Sequence, residues 1–135
     1  EKNSDALHCC ISTPLLKGNF IYGVDSYGEL RCLELKSGNR IWEDLSAVKS
    51  DRWANIHFIQ NGELTYMFNE NGELIVGQLS PKGFQEISRA KLIDPTVGQL
   101  NRSGTGVTWA HPAFAYKHVY IRNDKELVCA DLTEK

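Results

Sequence analysis

The sequence predicts an all-β fold assembled from small repeated sheets. Three observations carry that expectation: a stretch of the chain that recurs, short runs rich in β-branched and aromatic residues, and Asn- and Gly-containing breaks between the runs. The sole helical competitor, residues 86–92 (EISRAKL), amounts to two turns, short for a stable helix, and is read as an outer strand.

The recurrence is specific. Residues 17–35 (KGNFIYGVDSYGELRCLEL) superimpose without a gap on residues 61–79 (NGELTYMFNENGELIVGQL) at an offset of 44. Gly18 meets Gly62, Tyr22 meets Tyr66, and Gly28-Glu29-Leu30 meets Gly72-Glu73-Leu74. A third copy, residues 116–132 (YKHVYIRNDKELVCADL), aligns Tyr120 with Tyr22. It also aligns Glu126-Leu127 and Cys129 with Glu29-Leu30 and Cys32, across a turn one residue shorter.

Strands this short, joined by turns of a few residues, pair antiparallel, because parallel neighbours need a long crossover. Strands are expected near residues 11–17, 19–25, 29–36 and 39–44, then 54–60, 63–69, 73–79 and 84–90, then 109–115, 117–122 and 126–132. A repeat of about 44 residues with four antiparallel strands has the size of a propeller blade. The predicted architecture is a single partial-propeller domain over residues 1–135. Blade one covers 9–44 and blade two 53–92; a loop covers 94–106, and blade three, 108–132, lacks its outer strand. The loop (DPTVGQLNRSGTG for 94–106) has no hydrophobic period and is expected to be mobile.

Residues 28–42 (GELRCLELKSGNRIW) make the pattern more specific. They resemble the repeat of the pyrroloquinoline-quinone (PQQ) enzyme family. In that repeat a Gly-x-Leu strand start leads to a small residue, an acid, a glycine turn and a tryptophan. Leu30 stands at the leucine, Cys32 at the small residue, Glu34 at the acid, Gly38 at the turn and Trp42 at the tryptophan. Copy two keeps Leu74 but has Phe84 near the tryptophan slot, and copy three keeps Leu127, Cys129 and Asp131. The resemblance spans roughly residues 9–132 and concerns the last blades of PQQ-like propellers from large bacterial secreted proteins. It implies that Trp42 docks between blades, with Gly38, Leu30, Leu74 and Leu127 in structural positions. It also implies a periplasmic or extracellular location. Under an alternative reading, a quinoprotein alcohol dehydrogenase, Cys9 and Cys10 would form the adjacent-cysteine disulfide that stacks on PQQ beside calcium. The family's calcium ligands and catalytic aspartate cannot be placed on any motif here.

Composition narrows the function classes. The 135 residues suit one domain, and 15 Lys plus Arg against 17 Asp plus Glu leave a formal charge of −2. That balance gives a nucleic acid or an anionic membrane no basic patch to hold. No apolar run reaches the 18 or so residues of a membrane span. The chain begins at Glu1, its only methionine is Met67, and EKNSDALHCC has neither a basic stretch nor an apolar core, so a processed or excised segment is expected. Phosphate loops, HExxH and Gly-x-Ser-x-Gly are absent from the sequence.

The residues with chemistry have structural readings. Cys9 and Cys10 read as reduced thiols, and Cys32 and Cys129 as small buried hydrophobes. His8, His57, His111 and His118 show no spacing that converges on one strand face. The in-register tyrosines read as packing between blades, and Asp25, Asn69 and Asn123 as caps of equivalent turns. The leading expectation is a non-catalytic binding or scaffolding module of a larger secreted or envelope protein, with loops at one end of the ring holding a protein or carbohydrate. Three blades leave two apolar end faces, which further blades of the same ring or self-association would cover.

Overall fold

The computed structural model describes residues 6–98 and 106–133. Blade one is β1 (Leu15–Lys17), β2 (Phe20–Val24), β3 (Leu30–Glu34) and β4 (Arg40–Asp44). Blade two is β5 (Ile56–Asn61), β6 (Leu64–Asn69), β7 (Glu73–Ser80) and β8 (Gly83–Lys91). A two-stranded ribbon, β9 (Val97–Gly98) with β10 (Gly106–Val107), precedes β11 (Ala113–Ala115), β12 (His118–Arg122) and β13 (Leu127–Asp131) of blade three. Each blade is an antiparallel meander in chain order, four-stranded in the first two and three-stranded in the third among the described residues. Residues 86–91 of the EISRAKL segment lie in β8, the outer strand of blade two.

The turn between the second and third strands is built the same way three times. Asp25 Oδ1 accepts the amides of Tyr27 (2.8 Å) and Glu29 (2.9 Å). Asn69 Oδ1 accepts those of Asn71 and Glu73, both at 3.1 Å. Asn123 Oδ1 accepts those of Lys125 (2.8 Å) and Glu126 (2.9 Å). A short side-chain acceptor bonding its own chain two and four residues on closes a tight turn without a second strand's help. In blade three the second bond falls three residues on, the direct consequence of the shorter turn.

Glycine is required where these turns meet the chain entering the next blade. Gly28 (φ +86°) and Gly72 (φ +77°) adopt left-handed backbone. A Cβ on Gly28 would lie 2.6 Å from Ala54 Cβ, and one on Gly72 only 2.0 Å from the Ile93 carbonyl oxygen. Gly38 (φ +73°) has open space around it, so it serves the β3–β4 turn and touches no other blade.

Two apolar layers hold the blades face to face. Between blades one and two lie Tyr22, Val24, Leu30 and Cys32 against Ile56, Met67, Ile75 and Leu79, closed by Ala47, Val48 and Ala54 of the connection. Between blades two and three lie Phe68 and Leu74 against Val119 and Ile121, with Ile93 from the connection. Successive residues of β6 therefore serve different layers, Met67 one and Phe68 the other, as a sheet covered on both faces requires.

Four expectations need correction. The 94–106 segment is paired at its ends, Val97 with Val107 and Gly98 with Gly106, and residues 99–105 lie outside the described residues. The first strand of blade one is three residues rather than seven, because residues 11–14 do not join the ladder. Leu127, expected at a blade-docking position, is 70% exposed, and Cys129, expected as buried, is exposed too. No described element stands against the blade-three face that bears them. The histidines are not all scattered: His57 and His111 come together with ring centroids 4.6 Å apart. Strand spacing alone hid this, because His57 belongs to β5 whereas His111 sits in the chain leading into β11.

Candidate interaction surface

The turns capped by Asp25, Asn69 and Asn123 share one end of the molecule with the blade-to-blade connections, and hydrogen bonds weave the two together. The Asp51 amide donates to the Tyr27 carbonyl at 3.2 Å and the Trp53 amide to Ser26 O at 2.6 Å. Glu70 N donates to Asn55 O, and Thr108 N donates to Glu70 O. At blade three, Asn123 Nδ2 donates to Asp94 O at 2.9 Å. Backbone satisfied in this way fixes the loops on the scaffold.

Blade one and the connection after it present the aromatic part of that end. Trp53 takes a left-handed conformation (φ +61°), unusual for a bulky residue and held here by its bond to Ser26. The Arg52 guanidinium lies 4.2 Å from the centroid of the Trp53 ring, within cation–π range. Tyr27 beside them is 52% exposed, and Leu45 on the same connection is 63% exposed. Sequence reading missed this group, because its only signal was a Trp-Arg pair inside a segment without periodicity.

At the opposite end, a cleft of about 650 Å³ opens between blades two and three. Tyr66 and Phe114 stack in it at 5.3 Å, and Tyr116, 93% exposed on a two-residue turn with Lys117, stands at its rim.

Cys9 and Cys10 are free thiols. Cys9 Sγ sits 3.5 Å from Val24 O and 2.7 Å from where a Gly23 Cβ would be, so Gly23 makes room for it. Burial raises the Cys9 thiol pKa, which keeps it protonated and unreactive. Cys10 faces solvent. This arrangement does not fit a ring-stacking disulfide, since one sulfur is turned into blade one. Among the described residues no group of three His, Cys, Asp or Glu is disposed to hold a metal ion.

The other residues singled out from sequence have structural employment. Trp42 lies opposite Cys32, its ring 6.0 Å from Tyr22, and its indole N–H donates to Ser80 O of blade two at 2.9 Å. Leu30 and Leu74 lie in the two interblade layers. His57 is buried, with Nε2 donating to the Trp109 carbonyl at 3.0 Å while Nδ1 has no partner. Burial lowers its pKa first, and His111 adds to the lowering against the opposing Trp109 bond. Trp109 in turn donates its indole N–H to Glu70 at 3.0 Å.

No family model and no curated protein matches this chain. Among solved structures, the chain is similar to BamB from Moraxella catarrhalis, with a TM-score of 0.53 at 15% identity. The likeness covers 87% of this chain and 30% of that one, so the chain spans under a third of the length of the structure it resembles. At this identity the likeness speaks to fold, and it agrees with an all-β, partial β-propeller.

Proposed function

We propose that the chain is part of a non-catalytic β-propeller scaffold that holds a protein partner through the woven loop end of blades one and two. The observation that carries this reading is the Arg52–Trp53 pair, pinned by backbone bonds beside half-exposed Tyr27. Trp, Tyr and Arg on a pre-ordered backbone are the residue types that dominate protein–protein binding energy, because they bury much area at small entropic cost. Two of the acids beside these turns are engaged in architecture: Asp25 caps a turn and pairs with Arg31, and Glu73 pairs with Arg89. An envelope or secreted location belongs to the same proposal and rests on the PQQ-like resemblance. The quinoprotein alternative is disfavoured by the placement of Cys9.

The test is photo-crosslinking in cells from a probe at position 27, with a probe at position 116 as control. A protein captured from 27 and not from 116 is then purified. Its affinity for the scaffold should fall about tenfold or more with Arg52→Ala, as for loss of a binding hot spot. Equal capture from both positions, or an affinity indifferent to Arg52→Ala and Tyr27→Ala, overturns the reading.

A further inference from the structure

We propose that the cleft between blades two and three is a saccharide-binding site: a pyranose ring lies against Tyr116 and the Tyr66–Phe114 wall, and its hydroxyls bond to Gln60, Asn61 and Lys117. The site lies at the opposite end from Arg52 and Trp53 and is independent of the partner proposed there.

The cleft exists because the two interblade junctions are filled differently. Across blade one the ladder sets Tyr22, Cys32 and Trp42 side by side, and Tyr22 is 1% exposed. Across blade two the same rungs hold Tyr66, Val76 and Ser88, so a serine stands where the indole did. Tyr66 stays half-buried, with Phe114 of β11 stacked on it at 5.3 Å and 23° between the ring planes. The walls come from consecutive blades, and the space of about 650 Å³ has the size of a small-ligand site.

The rim carries backbone strain that the repeat does not need. The β1–β2 and β5–β6 turns open with glycine, Gly18 and Gly62, each at φ +60°. The β11–β12 turn is instead Tyr116 (φ +50°) and Lys117 (φ +61°), two left-handed residues that both bear side chains. Its carbonyls hold it in place: His118 Nδ1 donates to Tyr116 O at 2.7 Å and the Leu132 amide to Lys117 O at 2.8 Å. What the strain secures is a tyrosine 93% exposed beside the cleft.

The lining selects the occupant. Gln60 Nε2 donates to Gly62 O at 3.2 Å, and Asn61 Nδ2 donates to the Tyr66 hydroxyl at 3.0 Å. Those bonds fix the two amides and leave their oxygens as acceptors, while the Tyr66 O–H and the Lys117 ammonium are donors. Donors and acceptors interleaved around aromatic rings match a sugar. Its hydroxyls do both, and its ring C–H groups carry the partial positive charge that an aromatic face attracts. An apolar peptide side chain would cover the amide oxygens without pairing them. A simple anion is a poor match, because Asp131, across the ladder from His118, already sets a negative charge near Lys117.

Isothermal titration of the chain with cellotriose, maltotriose and chitotriose tests the site, with N-acetyltyrosinamide as the peptide-like probe. At least one trisaccharide should bind with a Kd of about 1 mM or tighter. Tyr116→Gly, which restores the glycine of the other two turns, should weaken that binding about tenfold while the melting temperature stays equal or rises. Gln60→Ala, a change at an exposed side chain, should weaken it several-fold with the fold intact. Absence of binding by all three sugars at about 10 mM overturns the proposal, as does an affinity indifferent to both Tyr116→Gly and Gln60→Ala. Binding of N-acetyltyrosinamide in preference to the sugars also overturns it, in favour of a peptide.

Discussion

The indole of Trp42 donates a hydrogen bond to the carbonyl of Ser80, 38 residues away, and so ties the outer strand of blade one to blade two. The bond coincides with burial of the ring beside Tyr22 and Cys32, which joins a directional contact to a packed one.

Trp42→Ala should therefore cost about 2–4 kcal/mol, somewhat below the range for a fully buried tryptophan because the ring is only partly covered. Trp42→Phe keeps most of the packing and loses the bond, for about 1 kcal/mol. Urea denaturation of the two variants separates the contributions, and a midpoint unchanged by Trp42→Ala would contradict the docking role.

Gly72 and Gly62 both have positive φ but differ in surroundings, and that difference predicts unequal responses to alanine. Gly62→Ala meets nothing within 4 Å and should cost about 1 kcal/mol for left-handed backbone alone. Gly72→Ala drives a methyl into the Ile93 carbonyl and should cost at least about twice that. Comparable losses in a denaturation series would mean that the turn does not press on the following connection.

The two asparagine turn caps should rank by burial. Asn123 is only half-buried, so Asn123→Ala, which removes the cap and the bond to Asp94 O, should cost about 1 kcal/mol. Asn69 is fully buried and also donates to Ala47 O and Glu73, so Asn69→Ala should cost more, about 2–3 kcal/mol. Thermal melts of the two variants test the order.

Stability should fall on mild acidification through His57. Its folded-state pKa lies below the ordinary value, so the unfolded chain takes up the proton first as pH drops through about 6.5. The stabilising contribution is complete above that value and is lost as pH falls toward the folded pKa. Denaturation midpoints between pH 8 and pH 5 should show this decline, and His57→Gln should flatten it. An equal pH dependence in the variant would assign the effect to other groups.

Thiol labelling of the native protein should divide the cysteines by placement. Cys10 and Cys129 are exposed and should react first, Cys9 more slowly because its buried thiol stays protonated, and Cys32 only on unfolding. Mass spectrometry of the modified peptides reads the order, and early labelling of Cys32 would contradict the first interblade layer.

The antiparallel strands, the outer strand that takes in residues 86–91 and the three Asp/Asn caps were legible in the sequence, because strand periodicity and turn chemistry act within a few residues. What a given position faces was not legible. Leu30 and Leu127 occupy the same slot of the repeat, yet one is fully buried and the other largely exposed. Burial of a blade face is decided by whatever stands against it, which lies outside the repeat itself. The Arg52–Trp53 pair and the His57–His111 contact were hidden for a related reason: each joins or lies on connections whose path is set by tertiary hydrogen bonds rather than by pattern. Local spacing thus determined the strands and their turns by itself, since side-chain alternation and positive φ are properties of neighbouring residues. Only the assembled structure decided which faces are covered and which loops converge, since those depend on residues far apart in the chain meeting across a blade.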